Sequence, residues 1–347
     1  KIFVQKLIFI TGPGRCGTHL ILSLLDGNKK LNVVPGEITN IFIDNLFRNG
    51  QSNRVYKFNK NIIFENFKAA LKDHNFPFVN KKLSKIKKLI NFKFRKNYFI
   101  NINDYLSIII NVLFNNKKTT VINIQDENLV GLLELFPNCK IIHMLRNPLS
   151  QINSRYMYRY KNPSNHDGLE FCNSFFRNYN SFKNAFITRE SKRVKIIKME
   201  NLISNTKKEM KNIFKFLNYP IEKINYQTTQ YGKKFDTYNY YPNYKNLYTN
   251  KKSTGIKKVN FDYSCLTPND LYLISKLKYV KYFYKINKFK KSGYNFFYFF
   301  FRHLGLIGNN RTFNYNPIKL VKLSLFSFYL FFLDMNTKKN FFRSDNI

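Results

Sequence analysis

The chain has 347 residues, 44% of them hydrophobic: enough for one large α/β domain or two modest ones, and too many for a wholly disordered chain. Lysine and arginine number 59 against 20 acidic residues, and the formal net charge of +39 favours anionic partners such as nucleotides, acidic glycans, nucleic acid or anionic lipid. AT-rich codons would also produce this abundance of Lys, Asn, Ile, Phe and Tyr, so charge alone singles out no partner.

The first element is an apolar strand at 7–10. It runs into GPGRCGT, residues 12–18, and then into a helix-like stretch ending at Asp26. Strand, glycine-rich turn and helix start form the geometry that cradles an anion on backbone amides. A Walker A loop would place Lys and then Ser or Thr directly after its second glycine. Here Gly17 is followed by Thr18 and His19, and the basic residue, Arg15, lies ahead of it. LNVVPGE, residues 31–37, reads as a short strand ended by a Pro-Gly turn.

Residues 40–118 are very basic and mostly helical in pattern, as in VNKKLSKIKKLINFKFRK. TTVINI (119–124) and CKIIHML (139–145) read as buried strands, with the helix ENLVGLLELF between them. NPLSQINSRYMYRY starts a helix with Pro148 in its first turn, and a long amphipathic helix, HDGLEFCNSFFRNYNSFKNAF, follows. RVKIIKME (193–200) is a further strand, and NTKKEMKNIFKFL is a helix begun at an Asn or Thr cap. The stretch 226–248 reads as a long loop, and 291–347 as a basic, aromatic C-terminal extension outside the alternating pattern.

Strands alternating with helices predict an α/β, three-layer fold with a central, mainly parallel sheet flanked by helices. The main domain spans 1–290, with 40–118 as a helical, basic insertion on the acceptor side. Cys16, Cys139, Cys172 and Cys265 are scattered with no C-x-x-C pair, which fits a reducing, cytoplasmic compartment better than a zinc site or a disulfide framework. The sequence opens on Lys1 rather than Met, with no signal peptide visible ahead of the first strand. No uncharged run reaches the roughly 18–20 residues that span a bilayer.

Two motifs carry chemistry. Around Gly14, Arg15, Cys16, Gly17 and Thr18, backbone amides, the Thr18 hydroxyl and the Arg15 guanidinium can hold an anion, although a plain glycine turn would read the same way. The second motif is RNPLSQINS. Arg146 leaves the C-terminal end of a buried strand, where open α/β sheets bind ligands. Ser154 lies eight positions on, about two helical turns, so the two side chains can grip one phosphate from two sides.

Together these stretches resemble the sulfotransferase family that uses 3′-phosphoadenosine 5′-phosphosulfate. GPGRCGTHLILSLLDGNKKLNVVPGE is similar to the family's first motif and FPNCKIIHMLRNPLSQINS to its second. VKIIKMENLISNTKKEMKNIFKFLNYP looks like its strand, Glu-Asx-Leu turn and helix, and KKSTGIKKVNFDYSCLTPNDLYLISKLKYVKYF is a weaker fourth match. The resemblance covers roughly residues 5–285. It implies a P-loop-like fold with the phosphosulfate as co-substrate and no metal. It places Gly14, Arg15, Cys16, Gly17, Thr18 and His19 on the 5′-phosphosulfate and Arg146 and Ser154 on the 3′-phosphate. It also implies a loop with Thr254, Gly255 and Lys257 closing over the nucleotide.

Arg15 would stabilise the leaving phosphate. Glu37, placed like the glutamate of carbohydrate-type sulfotransferases, would take the acceptor proton. His19 is a rival base, and His143, inside an apolar strand, reads as a core residue. The implied reaction is in-line sulfuryl transfer to a hydroxyl, on a glycan or glycolipid rather than a small phenol. An anionic membrane surface is a second expected partner, and nucleic acid is not one.

Two departures stand out. Many relatives carry Lys-Xaa-Pro where this chain has Gln125-Asp126-Glu127, and the chain has no Trp to stack on adenine. Two other readings stay open. A P-loop-like nucleotide kinase lacks its lysine after Gly17. A polyanion- or membrane-surface-binding protein without catalysis would rest on the charge and on KKLSKIKKLINFKFRK.

Overall fold

The computed structural model describes residues 6–38, 60–95, 102–114, 117–124, 128–159, 168–234, 266, 268–277 and 279–286. β1 (Leu7–Thr11) leads through the glycine-rich loop to α1 (Thr18–Leu25) and β2 (Leu31–Val33). Three helices follow: α2 (Lys60–Asp73), α3 (Val79–Lys93) and α4 (Ile102–Phe114). Next come β3 (Thr119–Asn123), α5 (Leu129–Leu135), β4 (Lys140–Leu145), α6 (Pro148–Arg159) and α7 (Gly168–Thr188). β5 (Val194–Lys198), α8 (Met199–Ser204), α9 (Thr206–Leu217), a hairpin of β6 (Thr229–Gln230) and β7 (Lys233–Lys234), and α10 (Pro268–Ser275) complete the series.

The chain divides into two units, residues 1–146 with 183–259, and residues 147–182 with 260–347. The first unit holds a five-stranded sheet of order β2-β3-β1-β4-β5 in which every pairing is parallel. β1 lies at the centre, with β2 and β3 on one side of it and β4 and β5 on the other. The loop after β1 therefore sits at the switch point where open α/β sheets bind ligands.

The strands are apolar on both faces because both faces are covered. Phe9, Ile122 and Ile141 turn to one side and join Phe67 of α2, Ile86 of α3 and Tyr105 of α4. Ile10, Ile142 and Met144 turn to the other and join Leu22 of α1 and Phe214 of α9. Each such aliphatic or aromatic side chain contributes about 1.5–3 kcal/mol by burial. The segment read from sequence as an insertion thus builds, through α2–α4, one of the two helical layers of the sheet. In the second unit, Asn178 Nδ2 on α7 donates to Gln151 Oε1 on α6 at 2.7 Å, and Phe182 meets Phe283 ring to ring at 5.8 Å.

Two local readings change. Met199 and Glu200, read as the end of a strand, open α8, where a carboxylate in the first turn suits the helix dipole. Part of the long loop is the β6–β7 hairpin. Residues 235–248 of that loop and the extension 291–347 lie outside the described residues. Among the described residues no helix is long and apolar enough to cross a membrane.

Candidate active site

The loop after β1 is shaped by close packing. Gly12 has φ +144°, and a Cβ there would lie 2.5 Å from the Met144 carbonyl oxygen and 2.6 Å from Cys16 Sγ. No side chain fits, so only glycine allows the turn. Arg15 is held at φ 71°, a left-handed conformation that costs a non-glycine residue about 1–3 kcal/mol. Arg146, at the end of β4, braces it: its Nη1 donates to the Arg15 carbonyl at 3.0 Å. The two arginines picked out in the sequence thus belong to one assembly.

α1 starts behind Gly17 with no side-chain cap and no acidic residue in its first turn. The first amides of a helix lack intrahelical partners, and a helix start of this kind suits an anion. Cys16 and Thr18 have buried side chains, and Cys16 belongs to the core, so its contribution to the loop is its backbone. His143 is a core residue as expected: fully buried, it shares a 2.7 Å hydrogen bond through Nδ1 with the hydroxyl of Thr11, its partner in the sheet register.

The rival bases turn out to be neighbours. His19 Nε2 lies 3.2 Å from Glu37 Oε2, with side chains 23% and 17% exposed. Glu37 is fixed from the next residue: Ile38 bridges to Ile124, and its amide donates to the Asn123 carbonyl at 2.8 Å. Glu37 Oε1 is buried with no hydrogen-bond partner among the described residues.

Two residues that the sequence reading missed complete the cluster. His74, just after α2, lies with its ring centroid 6.5 Å from that of His19. Its carbonyl accepts from Gln230 Nε2 at 3.1 Å and from the Tyr231 hydroxyl at 2.5 Å. Its ring occupies the space a side chain at position 36 would need, since a Cβ there would come within 2.5 Å of His74 Cδ2. Burial first, and then the neighbouring His19, push the His74 pKa down from 6.5 to about 4, against a smaller opposing pull from Asp73. His74 is therefore a neutral imidazole at neutral pH.

Asn123 ends β3 beside β1, fully buried, and neither polar atom of its amide has a partner among the described residues. Buried polar groups nearly always find partners, which sets Asn123 apart from the rest of its strand. The available signals were an Asn in an otherwise β-branched and apolar strand and a lone His at the end of a basic helix.

Ser154 lies half-buried on α6, in the second unit. Thr254, Gly255, Lys257 and the triplet at 125–127 lie outside the described residues.

The parallel sheet, with a glycine-rich loop at its switch point that lacks the Walker lysine, makes an α/β domain distinct from the ATP-binding loops. Residues 8–223 match the model of the sulfotransferase family, and the chain belongs to that family. No curated protein matches it. Among solved structures it is similar to the sulfotransferase domain of the Synechococcus PCC 7002 olefin synthase. That match has 15% identity and a TM-score of 0.51, and covers 82% of this chain and 96% of the other. It is also similar to the sulfotransferase STF9 from Mycobacterium avium, with 12% identity and a TM-score of 0.44, covering 83% and 79% of the two chains.

The protein is thus a transferase that moves a sulfuryl group. The family implies 3′-phosphoadenosine 5′-phosphosulfate as co-substrate.

Proposed function

We propose that the chain transfers sulfate from 3′-phosphoadenosine 5′-phosphosulfate to a hydroxyl of a carbohydrate, on a glycan or glycolipid, with Glu37 as the base. The observation that supports this reading is the His19–Glu37 pair next to the anion loop. An acceptor hydroxyl is too poor a nucleophile without a proton acceptor, and a positioned carboxylate supplies one. His19 occupies Oε2 and fixes the carboxylate, leaving Oε1 for the proton.

The reaction is an in-line displacement. The acceptor oxygen–sulfur bond forms while the bond from sulfur to the 5′-phosphate oxygen breaks, and the proton passes to Glu37. Arg15 and the loop amides stabilise the charge that builds on the leaving phosphate. The resemblance to the family's motifs assigns Arg146 and Ser154 to the 3′-phosphate, and Thr254, Gly255 and Lys257 to the nucleotide. The α2–α4 layer, with His74 at its edge, walls the acceptor side of the 1–290 domain. The buried free thiols Cys16 and Cys139 suit a reducing, cytoplasmic compartment.

Two measurements test this reading together. Adenosine 3′,5′-bisphosphate should raise the melting temperature where ATP does not, and at a hundredfold excess over Kd it should add about 2.7 kcal/mol. Glu37→Gln should keep that stabilisation and lose sulfate transfer to a glycan by roughly 100- to 10,000-fold. Equal stabilisation by ATP would favour the kinase reading, and an active Glu37→Gln enzyme would remove Glu37 from its role.

A further inference from the structure

α3 turns Leu83, Ile86 and Ile90 inward and buries them. On its opposite side Lys81, Lys85, Lys88 and Phe92 follow one another at spacings of four, three and four residues, which makes a single row along the helix. All four are exposed, Phe92 at 86%. Leu89 flanks the row at 39% exposure, and Phe78 stands at the helix start at 78%. Five large hydrophobic side chains are exposed among the described residues, and three of them belong to this one helix and its first flanking residue.

The charge is equally one-sided. α3 carries six lysines and no acidic residue. Lys93 pairs with Asp104, and Lys82 donates to the Leu113 carbonyl. Lys81, Lys85, Lys87 and Lys88 have no acidic partner among the described residues. A merely solvated face needs lysines but gains nothing from two exposed phenyl rings and a leucine. A basic row with aromatic and leucine side chains beside it is the composition of a helix that lies in a membrane interface, amines at the headgroups and rings in the acyl boundary.

We propose that the outward face of α3 docks on an anionic lipid bilayer. A nucleic acid would match the lysines alone, whereas Phe78, Leu89 and Phe92 together call for an apolar phase. If the transfer reaction proposed above also holds, the acceptors this enzyme meets are membrane-held; the docking itself does not depend on that reading.

The test is co-sedimentation of the full chain with vesicles of phosphatidylcholine alone and of phosphatidylcholine with phosphatidylserine. The protein should sediment with the anionic vesicles only, less so as salt rises. Lys85→Glu combined with Lys88→Glu should weaken binding at least about 25-fold, taking about fivefold for each lysine lost. Phe92→Ser should weaken it severalfold at every salt concentration, and both variants should melt like the wild type because the positions are exposed. Equal binding to neutral vesicles, no binding to anionic ones, or a double variant that sediments like the wild type would overturn the proposal. So would loss in the lysine variant with Phe92→Ser unaffected and single-stranded DNA as an equal competitor, the signature of a polyanion site. Sulfate transfer is not read out, so failure of the catalytic reading would leave this result standing.

Discussion

Asn123→Val separates a functional group from a structural one. The Asn123 side chain is fully buried, and both its amide nitrogen and its amide oxygen lack partners among the described residues. Such an unsatisfied buried group costs a protein about 1–3 kcal/mol. Valine is close in size and suits a buried strand, so the substitution should return most of that cost to the ligand-free protein. For a domain of a couple of hundred residues this is a rise in melting temperature of about 2–4 °C per kcal/mol. If the amide bonds a charged ligand group during turnover, the same variant loses about 1.5–3 kcal/mol there, or roughly 10- to 150-fold in kcat/KM. The assay is a thermal melt without ligand beside sulfate-transfer kinetics on the same preparation. Higher stability with lower turnover is the expected pair. A destabilised variant would show that the amide is satisfied in the native protein, and a stabilised variant with normal kcat/KM would show that the reaction does not use it.

Three further outcomes follow from the loop and its neighbours. Arg15→Ala should lower turnover by about 100-fold or more through loss of a charge-stabilising donor. Arg15→Gly should be as inactive yet no less stable, because glycine relieves the φ of 71°; normal turnover in either variant would exclude the role. Arg146→Ala should weaken adenosine 3′,5′-bisphosphate by about 1.5–3 kcal/mol and AMP by less, since the side chain also braces the Arg15 carbonyl; equal losses in titration would refute the 3′-phosphate assignment. His74 has a folded-state pKa of about 4 against an ordinary 6.5, so between these values the unfolded chain binds the extra proton and stability falls as pH falls. Denaturant melts at pH 7 and pH 5 should differ by about 2 kcal/mol more in the wild type than in His74→Gln, and identical pH slopes would count against a buried neutral His74.

The sheet was legible because buried parallel strands are short apolar runs rich in β-branched residues, and all five stand where Leu7, Leu31, Thr119, Lys140 and Val194 begin them. The glycine-rich turn was legible because its glycines answer a local steric demand, as the Met144 carbonyl against Gly12 shows. The pairing of His19 with Glu37 was not. The two are 18 residues apart, and only the return of the chain through β2 brings them together, so sequence order presented them as competitors. His74 is further removed, reaching the site from a segment whose amphipathic helices could have packed in many ways; no periodicity says that α2–α4 cover a sheet face. Asn123 was read with its strand as core, because a buried strand pattern does not record where an amide finds its bonds.

The His19–Glu37 contact decides whether these residues act separately or as one unit, and a double-mutant cycle distinguishes the cases. If His19 serves only to hold the carboxylate, His19→Ala removes one hydrogen bond to a charged acceptor, about 1.5–3 kcal/mol, or roughly 10- to 150-fold in turnover. Glu37→Gln removes the proton acceptor itself and should lose roughly 100- to 10,000-fold. Once the carboxylate is gone, His19 has nothing left to orient. The double variant should therefore be no slower than Glu37→Gln, within the about 0.5 kcal/mol to which independent effects are resolved. Two independent contributors would instead give the product of the single losses. Single-turnover rates at saturating donor are the right measure, because they isolate the transfer step from product release. A multiplicative double variant would break the pair into separate roles. A His19→Ala loss larger than that of Glu37→Gln would make the imidazole the base and the carboxylate its orienting partner, reversing the assignment while keeping the same two atoms 3.2 Å apart at the centre of the reaction.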